Sequence, residues 1–203
     1  MATAFQRKGS RIVGTLAPQE REVIVGLLGQ VRELLGGDEV APTGDPLTDL
    51  IGELEPAPEP GPAQDRDPAL DRLLPSGHED AEEAAEFRSM TERSLRQRKV
   101  ARIDTTIDTL RAVQREKLEL DFGQAQEFMV ALTDARLVLA DRLDLHTEED
   151  AERLHHQTTR FLEGGADFSD VDETLALFYD FLTWLQESLA NALMTTGGRR
   201  RSR

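Results

Sequence analysis

The chain has 203 residues, and 39 acidic residues outnumber 24 basic ones, so the formal net charge is −15. A chain of this length buries enough surface to fold without a disulfide or a structural metal. The acidic balance argues against a protein that coats nucleic acid, which needs a net basic face. The absence of cysteine excludes disulfide scaffolds, thiolate metal sites and thiol catalysis by the chain itself.

No apolar run of a secretory signal follows Met1, and no window approaches the ~18 apolar residues of a membrane span. We therefore expect a cytoplasmic protein without a membrane partner. No Gly-rich phosphate loop, nucleophile elbow or dinucleotide fingerprint occurs, so we expect no cofactor and no enzymatic activity.

Hydrophobic periodicity predicts a mainly α-helical bundle with a small N-terminal β element. A hairpin is predicted over residues 5–16 with Gly9 and Ser10 in its turn, and residues 117–120 form a candidate third strand. Helices are predicted over residues 18–35, 67–75, 122–143, 147–163 and 170–195, and residues 79–115 form either one long helix or a broken pair. We expect Phe87 and Met90 on the apolar side of residues 79–115, and Phe122 in the core.

Residues 38–67 differ from the rest of the chain, because they hold six of the nine prolines and nine acids against one base. This composition predicts a disordered acidic insertion. Within it, Asp45 and Pro46 favour a short helix that either binds a partner or lies on the core. We expect one helical domain from residues 1–37 and 68–196, followed by a flexible basic tail at 197–203.

The last predicted helix is apolar over much of its circumference. Such a helix is either central to a bundle or shared with a second copy of the chain, so a homodimer is one alternative. The residues that define this face are Phe178, Leu182, Trp184, Leu185 and Leu189.

Two groups of charged residues stand out in the long helices. Residues 88–102 carry six bases and one acid, which indicates either a docking face for an acidic partner or a solvated face paired with nearby acids. The candidate partner-binding residues are Arg93, Arg96, Lys99 and Arg102. Asp134 and Arg136 lie within an apolar run and, if buried, each needs a partner on another helix.

Glu152 and His155 have the Glu-x-x-His spacing of carboxylate-bridged metal helices, and His156 adjoins them. Such a site needs a second motif of the same kind, which the sequence does not contain. We therefore expect solvated histidines and no metal site. A metal-dependent helical hydrolase or oxygenase is the enzymatic alternative, and a DNA-binding regulator is disfavoured by the net charge.

Four segments together resemble an actinobacterial family catalogued as domain of unknown function 2017. They are DPALDRLLP at residues 67–75, EFR at 86–88, ALTDARLVL at 131–139 and YDFLTWLQESL at 179–189. The match runs from Phe5 to about residue 193, with the acidic insertion as its variable part.

The resemblance implies a regulator of the AosR type, which responds to oxidative stress and associates with an extracytoplasmic-function sigma factor. The family's redox switch is attributed to a cysteine pair, so thiol sensing is absent in this chain. Oxidation of Met90, Met129 or Met194 is a weak substitute for that switch. We expect a non-enzymatic regulator that binds a sigma factor or the transcription machinery. The alternative that the resemblance implies is an adaptor linked to Clp-type proteolysis.

Overall fold

The computed structural model describes residues 2–36, 66–78, 80–164 and 171–195. The predicted short helix after Asp45, nearly all of the acidic insertion and the basic tail lie outside these residues. The described elements are β1 (Thr3–Lys8), β2 (Arg11–Thr15), α1 (Pro18–Leu34), α2 (Pro68–Leu73), α3 (Ala81–Arg111), β3 (Lys117–Leu120), α4 (Phe122–Arg142), α5 (Glu148–Gly164) and α6 (Val171–Met194).

The three strands form one antiparallel sheet in the order β1-β2-β3, which confirms the predicted hairpin and third strand. Gly9 makes the tight turn with φ of 66°, a conformation that glycine reaches without steric cost. Lys8 pairs with Arg11, and Ile12 pairs with Leu120. The sheet therefore buries Ile12 and Leu120 against the helices and leaves charged side chains on its outer face.

The Glu20 side chain joins the sheet to α1. Pro18 is the first helical residue, where its missing N–H costs nothing. The Glu20 carboxylate accepts hydrogen bonds from the backbone amides of Ala17, at 2.7 Å, and Ala2, at 2.8 Å. Glu20 thus satisfies the start of the helix and fixes the start of β1 at the same time.

Helix α2 is short and capped as its sequence predicts. The Asp67 side chain accepts a hydrogen bond from the Ala69 amide at 2.9 Å, and Pro68 is the first helical residue. Leu70, Leu73 and Leu74 are buried and pack against α4. Six residues could not hold a helix alone, so this packing stabilises α2.

Helix α6 lies at the centre of the described bundle. It packs against α4, α5 and β1, and the Phe5 amide donates to Ser188 Oγ at 3.3 Å. Leu182, Leu185 and Leu189 are fully buried. Of the two predicted alternatives, a position at the centre of the bundle therefore accounts for most of the apolar surface of this helix.

Helix α3 divides into two halves with different surroundings. The second half buries Val100, Ile103, Ile107 and Leu110, whereas the side chains described in the first half include just two buried ones, Ala84 and Glu92. The expectation that Phe87 and Met90 join the apolar side is wrong, since they are 49% and 65% exposed. The buried contacts of this half include the ion pairs of Glu92 with Arg66 and Arg96, whereas Phe87 and Met90 lie at the surface.

Phe122 is a second correction, because it is 45% exposed instead of lying in the core. It begins α4 at the rim of the sheet, where the guanidinium of Arg7 lies 6.0 Å from its ring centroid. The core position beside the sheet is taken by Phe128, whose ring meets Phe5 edge-on at 6.3 Å.

Candidate functional site

One buried carboxylate organises the first half of α3. Glu92 is 9% exposed, and its Oε1 accepts hydrogen bonds from Arg96 at 2.9 and 2.6 Å. Its Oε2 lies 3.3 Å from Arg66 and 3.9 Å from Arg88. Arg66 also lies 3.1 Å from Asp71 of α2. The cluster therefore ties the chain just before α2 to the first half of α3.

Lys99 and Arg102 connect α3 to α4. Lys99 Nζ lies 2.5 Å from Asp134 Oδ1, and Arg102 Nε donates to Glu127 at 2.6 Å. Arg93 makes no ion pair with the described part of the chain, and its buried Nε has no hydrogen-bond acceptor there. Three of the four candidate partner-binding residues are thus engaged in ion pairs within the chain, and two of them, Lys99 and Arg102, join α3 to α4. Reversing their charge would break internal pairs as well as any contact with a partner.

Asp134 and Arg136 point to different helices, as residues two apart on a helix must. Asp134 is 2% exposed and reaches Lys99 of α3. Arg136 donates to Gln186 at 2.6 Å and to the Tyr179 hydroxyl at 3.3 Å, both on α6. Through this pair, α4 fixes the position of α3 on one side and α6 on the other.

The outer edge of α6 carries an aromatic pair in which Trp184 is exposed and Phe181 is partly buried. Trp184 is 39% exposed and stacks on Phe181 with ring centroids 6.3 Å apart. Phe178 is partly buried against the core. Asp180 and Glu187 flank Trp184 one turn before and after it, and Asp180 lies 3.0 Å from His155 Nδ1. We call Phe181 and Trp184 the α6 aromatic pair. It combines apolar surface with flanking negative charge.

The histidines of α5 make no convergent ligand set. His155 and His156 have ring centroids 6.3 Å apart, and Glu152 is exposed. Within residues 2–36, 66–78, 80–164 and 171–195, no three His, Asp or Glu side chains are grouped so that they could hold a metal ion. A pocket beside Thr105, Thr106 and Gln124 has a volume of about 10 Å³, which is the space of one water molecule.

A set of hydrogen bonds that the sequence did not predict joins α2 to the junction between α4 and α5. Arg72 of α2 donates to the Leu145 carbonyl at 2.8 Å and contacts His146 Nδ1 at 2.9 Å. A guanidinium can only donate, so Nδ1 accepts and Nε2 carries the proton. Nε2 then donates to Asp144 at 2.8 Å. The tautomer of His146 is therefore set by Arg72.

The same junction contains the ion pair of Asp67 and Arg142, whose side chains approach to 2.5 Å. The hydrogen bond from Arg142, helped by the Ala69 amide, holds the pKa of Asp67 below its usual range. The reciprocal hydrogen bond with Asp67 raises the pKa of Arg142 above its usual value. On the sheet, hydrogen bonding and charge from Lys117 lower the pKa of Glu119.

Sequence reasoning found the charged residues of α3 but not their acceptors. Glu92 is the single acid within residues 88–102, and several arginines lie within one or two helical turns of it. This spacing is the sequence signal from which its ion pairs within α3 could be predicted. Arg66 and Asp134 are distant in sequence, so no local pattern predicts their contacts with α3.

The described fold defines the class of protein, a mainly α-helical bundle with one small three-stranded antiparallel sheet. The chain belongs to the family described as Domain of unknown function (DUF2017), whose model matches residues 2–193. No curated protein and no solved structure matches the chain. Among the helices of the described residues, none has the length and apolar character needed to cross a membrane.

Proposed function

We propose that this protein is a non-enzymatic regulator that acts by binding a protein partner in the transcription machinery. The transcription partner follows from the resemblance to oxidative-stress regulators of the AosR type. The observation that carries the binding role is the α6 aromatic pair, since aromatic side chains with one face in water are enriched at protein interfaces.

The side chains around the α6 aromatic pair indicate which kind of partner surface would fit it. A half-exposed tryptophan is a common centre of binding energy when a partner encloses it in an apolar pocket. Glu187 is exposed one turn after Trp184, so a partner that borders its pocket with Lys or Arg fits best. Because Arg96, Lys99 and Arg102 are engaged within the chain, the α6 aromatic pair is the first surface to test.

The signal in this proposal arrives from the partner. The chain has no cysteine, so a thiol switch would have to reside in the sigma factor or in another bound protein. The regulator then recognises one redox state of its partner, and its own affinity depends on that state.

Affinity purification of the tagged protein from its own lysate, with and without peroxide, tests this proposal. We expect a sigma factor or RNA polymerase to be enriched by the wild type, to be lost with Trp184→Ser, and to be retained with Phe122→Ser. Phe122 is a matched control, since it is a similarly exposed aromatic residue on another face. Enrichment of Clp components would instead support a role in proteolysis. Equal capture of the partner by the wild type and by Trp184→Ser would exclude the α6 aromatic pair as the binding surface.

A further inference from the structure

The outer face of the first half of α3 has the features of an interface. Met90 is 65% exposed and Phe87 is 49% exposed. Glu86 lies one turn before Met90, and Arg93 lies one turn after it. Neither Glu86 nor Arg93 makes a side-chain ion pair with the described part of the chain, and the buried Nε of Arg93 has no acceptor there. An apolar centre is thus bordered by one free charge of each sign.

This arrangement is complementary to itself. If two copies of α3 lie antiparallel, with a two-fold axis between positions 89 and 90, Glu86 of each copy faces Arg93 of the other. The two ion pairs are then related by the axis, as an isologous dimer requires. Glu86 and Arg93 are seven residues apart, so the pairs lie about 5 Å on either side of the axis, with Met90 between them.

The α6 aromatic pair does not have this property. Helix α6 carries Asp172, Glu173, Asp180 and Glu187 but no Lys or Arg. Two copies of α6 in contact would bring like charges together on both sides of Trp184, which is unfavourable. Self-association is therefore expected at α3, while the α6 aromatic pair stays available for a different protein.

We propose that the protein forms a two-fold symmetric homodimer through the outer face of α3, centred on Met90, with reciprocal ion pairs between Glu86 and Arg93. A single helix pair is smaller than the ~1,600 Å² of a standard interface. The dimer is therefore weak, with a dissociation constant in the micromolar range or above, and it weakens as salt screens its ion pairs. It is independent of the proposed function, because it uses a different face.

Charge reversal tests the proposed dimer, because two variants that each weaken the homodimer should form a stable heterodimer when they are mixed. Glu86→Arg places a new arginine of each copy against Arg93 of its partner, and Arg93→Glu places a new glutamate against Glu86. Each variant alone should dimerise at least tenfold more weakly than the wild type, because both contacts then join like charges. In an equimolar mixture the two variants carry opposite charges at both contacts, so they should form a heterodimer about as stable as the wild-type dimer.

Sedimentation velocity of the purified full chain over a wide concentration range measures the homodimers, and native mass spectrometry of the mixture identifies the heterodimer. Far-UV circular dichroism checks that both variants remain folded. A monomeric wild type, unchanged dimerisation of the single variants, or a mixture without heterodimer would each overturn the proposal. Loss of the dimer in Trp184→Ser, with none in Arg93→Glu, would move the interface to α6 and also overturn it.

Discussion

At the scale of single residues, Asp134 is the most deeply buried charged side chain among the described residues, with 2% exposure. Lys99 supplies its positive partner at 2.5 Å, while Oδ2 has no hydrogen-bond donor there. A buried ion pair of this kind adds little net stability compared with a well-packed apolar pair. Removing one member is nevertheless costly, because the other charge is then buried without a partner.

Lys99→Met should lower the free energy of unfolding by about 3–5 kcal/mol, because it leaves Asp134 charged, buried and unpaired. The double variant Lys99→Met with Asp134→Leu should recover most of that loss, since neither charge remains. Urea denaturation measures both. Arg98→Ala, an exposed change on the same helix, is the control. A loss in Lys99→Met no larger than in Arg98→Ala would show that the pair is not buried in solution.

The pair of Asp67 and Arg142 predicts how stability depends on pH. The pKa of Asp67 is lowered in the folded protein, so its contribution is present above the ordinary pKa of about 4 and is lost as pH falls through the folded value. Asp67→Asn keeps the α2 cap but removes the charge. It should destabilise the protein by about 0.5–1 kcal/mol near neutral pH, since the pair is partly exposed.

The difference between the wild type and Asp67→Asn should close as pH falls below about 4. Thermal or urea unfolding of both proteins between about pH 3 and pH 7 measures it. A difference that stays constant across this range would mean that the cap geometry, and not the charge, is the contribution of Asp67.

At the scale of elements, the two halves of α3 should differ in local stability. The first half is held by the ion pairs of Glu92 and the second half by the apolar core. Glu92→Gln removes one charge from the centre of three arginines. It should speed amide hydrogen exchange in residues 84–98 by roughly 30-fold, equivalent to about 2 kcal/mol of local opening.

Exchange in residues 100–110 should stay protected in Glu92→Gln, because the core side chains there are unchanged. Glu86→Gln is the matched control, since Glu86 has no ion-pair partner in the described part of the chain and should leave exchange in monomeric protein unaltered. Equal acceleration along the whole of α3 would show that the helix opens as one unit.

Two glycines give opposite predictions for the same substitution. A Cβ at Gly14 of β2 would lie 2.8 Å from the Phe5 ring, whereas Gly26 in the interior of α1 has open space around it. Gly14→Ala should cost about 1–3 kcal/mol through overpacking, and Gly26→Ala should stabilise by about 1 kcal/mol through helix propensity. Thermal unfolding compares them, and equal effects would contradict this packing of β2 on Phe5.

At the scale of the whole molecule, much of the fold could be predicted from local patterns. The turn at Gly9, the cap at Asp67 and the apolar stripe of α6 each act through neighbours within a few residues, and the structure confirms all three. The exposure of Phe87 and Met90 could not be predicted, because it depends on how the first half of α3 packs in the bundle, and the contact of Arg66 with Glu92 in that half joins residues 26 positions apart. The contact between Lys99 and Asp134 joins residues 35 positions apart and has no local signal.

The dimer proposed through α3 gives this cysteine-free chain a route to respond to oxidants. Met90 and Met194 are 65% and 72% exposed, whereas Met129 is partly buried. Peroxide should therefore oxidise Met90 and Met194 before Met129, and a polar sulfoxide at Met90 should weaken self-association. Peptide mapping and sedimentation measure both effects. Met90→Leu should keep its dimer in peroxide, and an oxidised wild type that dimerises unchanged would contradict the prediction.

The central claim is that the protein regulates by binding a component of the transcription machinery. Titration of purified RNA polymerase, with and without its extracytoplasmic-function sigma factor, against the labelled chain tests that claim most directly. We predict saturable binding that Trp184→Ser weakens at least tenfold and that Phe122→Ser leaves unchanged, with the reducing or oxidising state of the partner altering the affinity. No binding by the folded wild-type chain to the polymerase or the sigma factor in either redox state would contradict the claim.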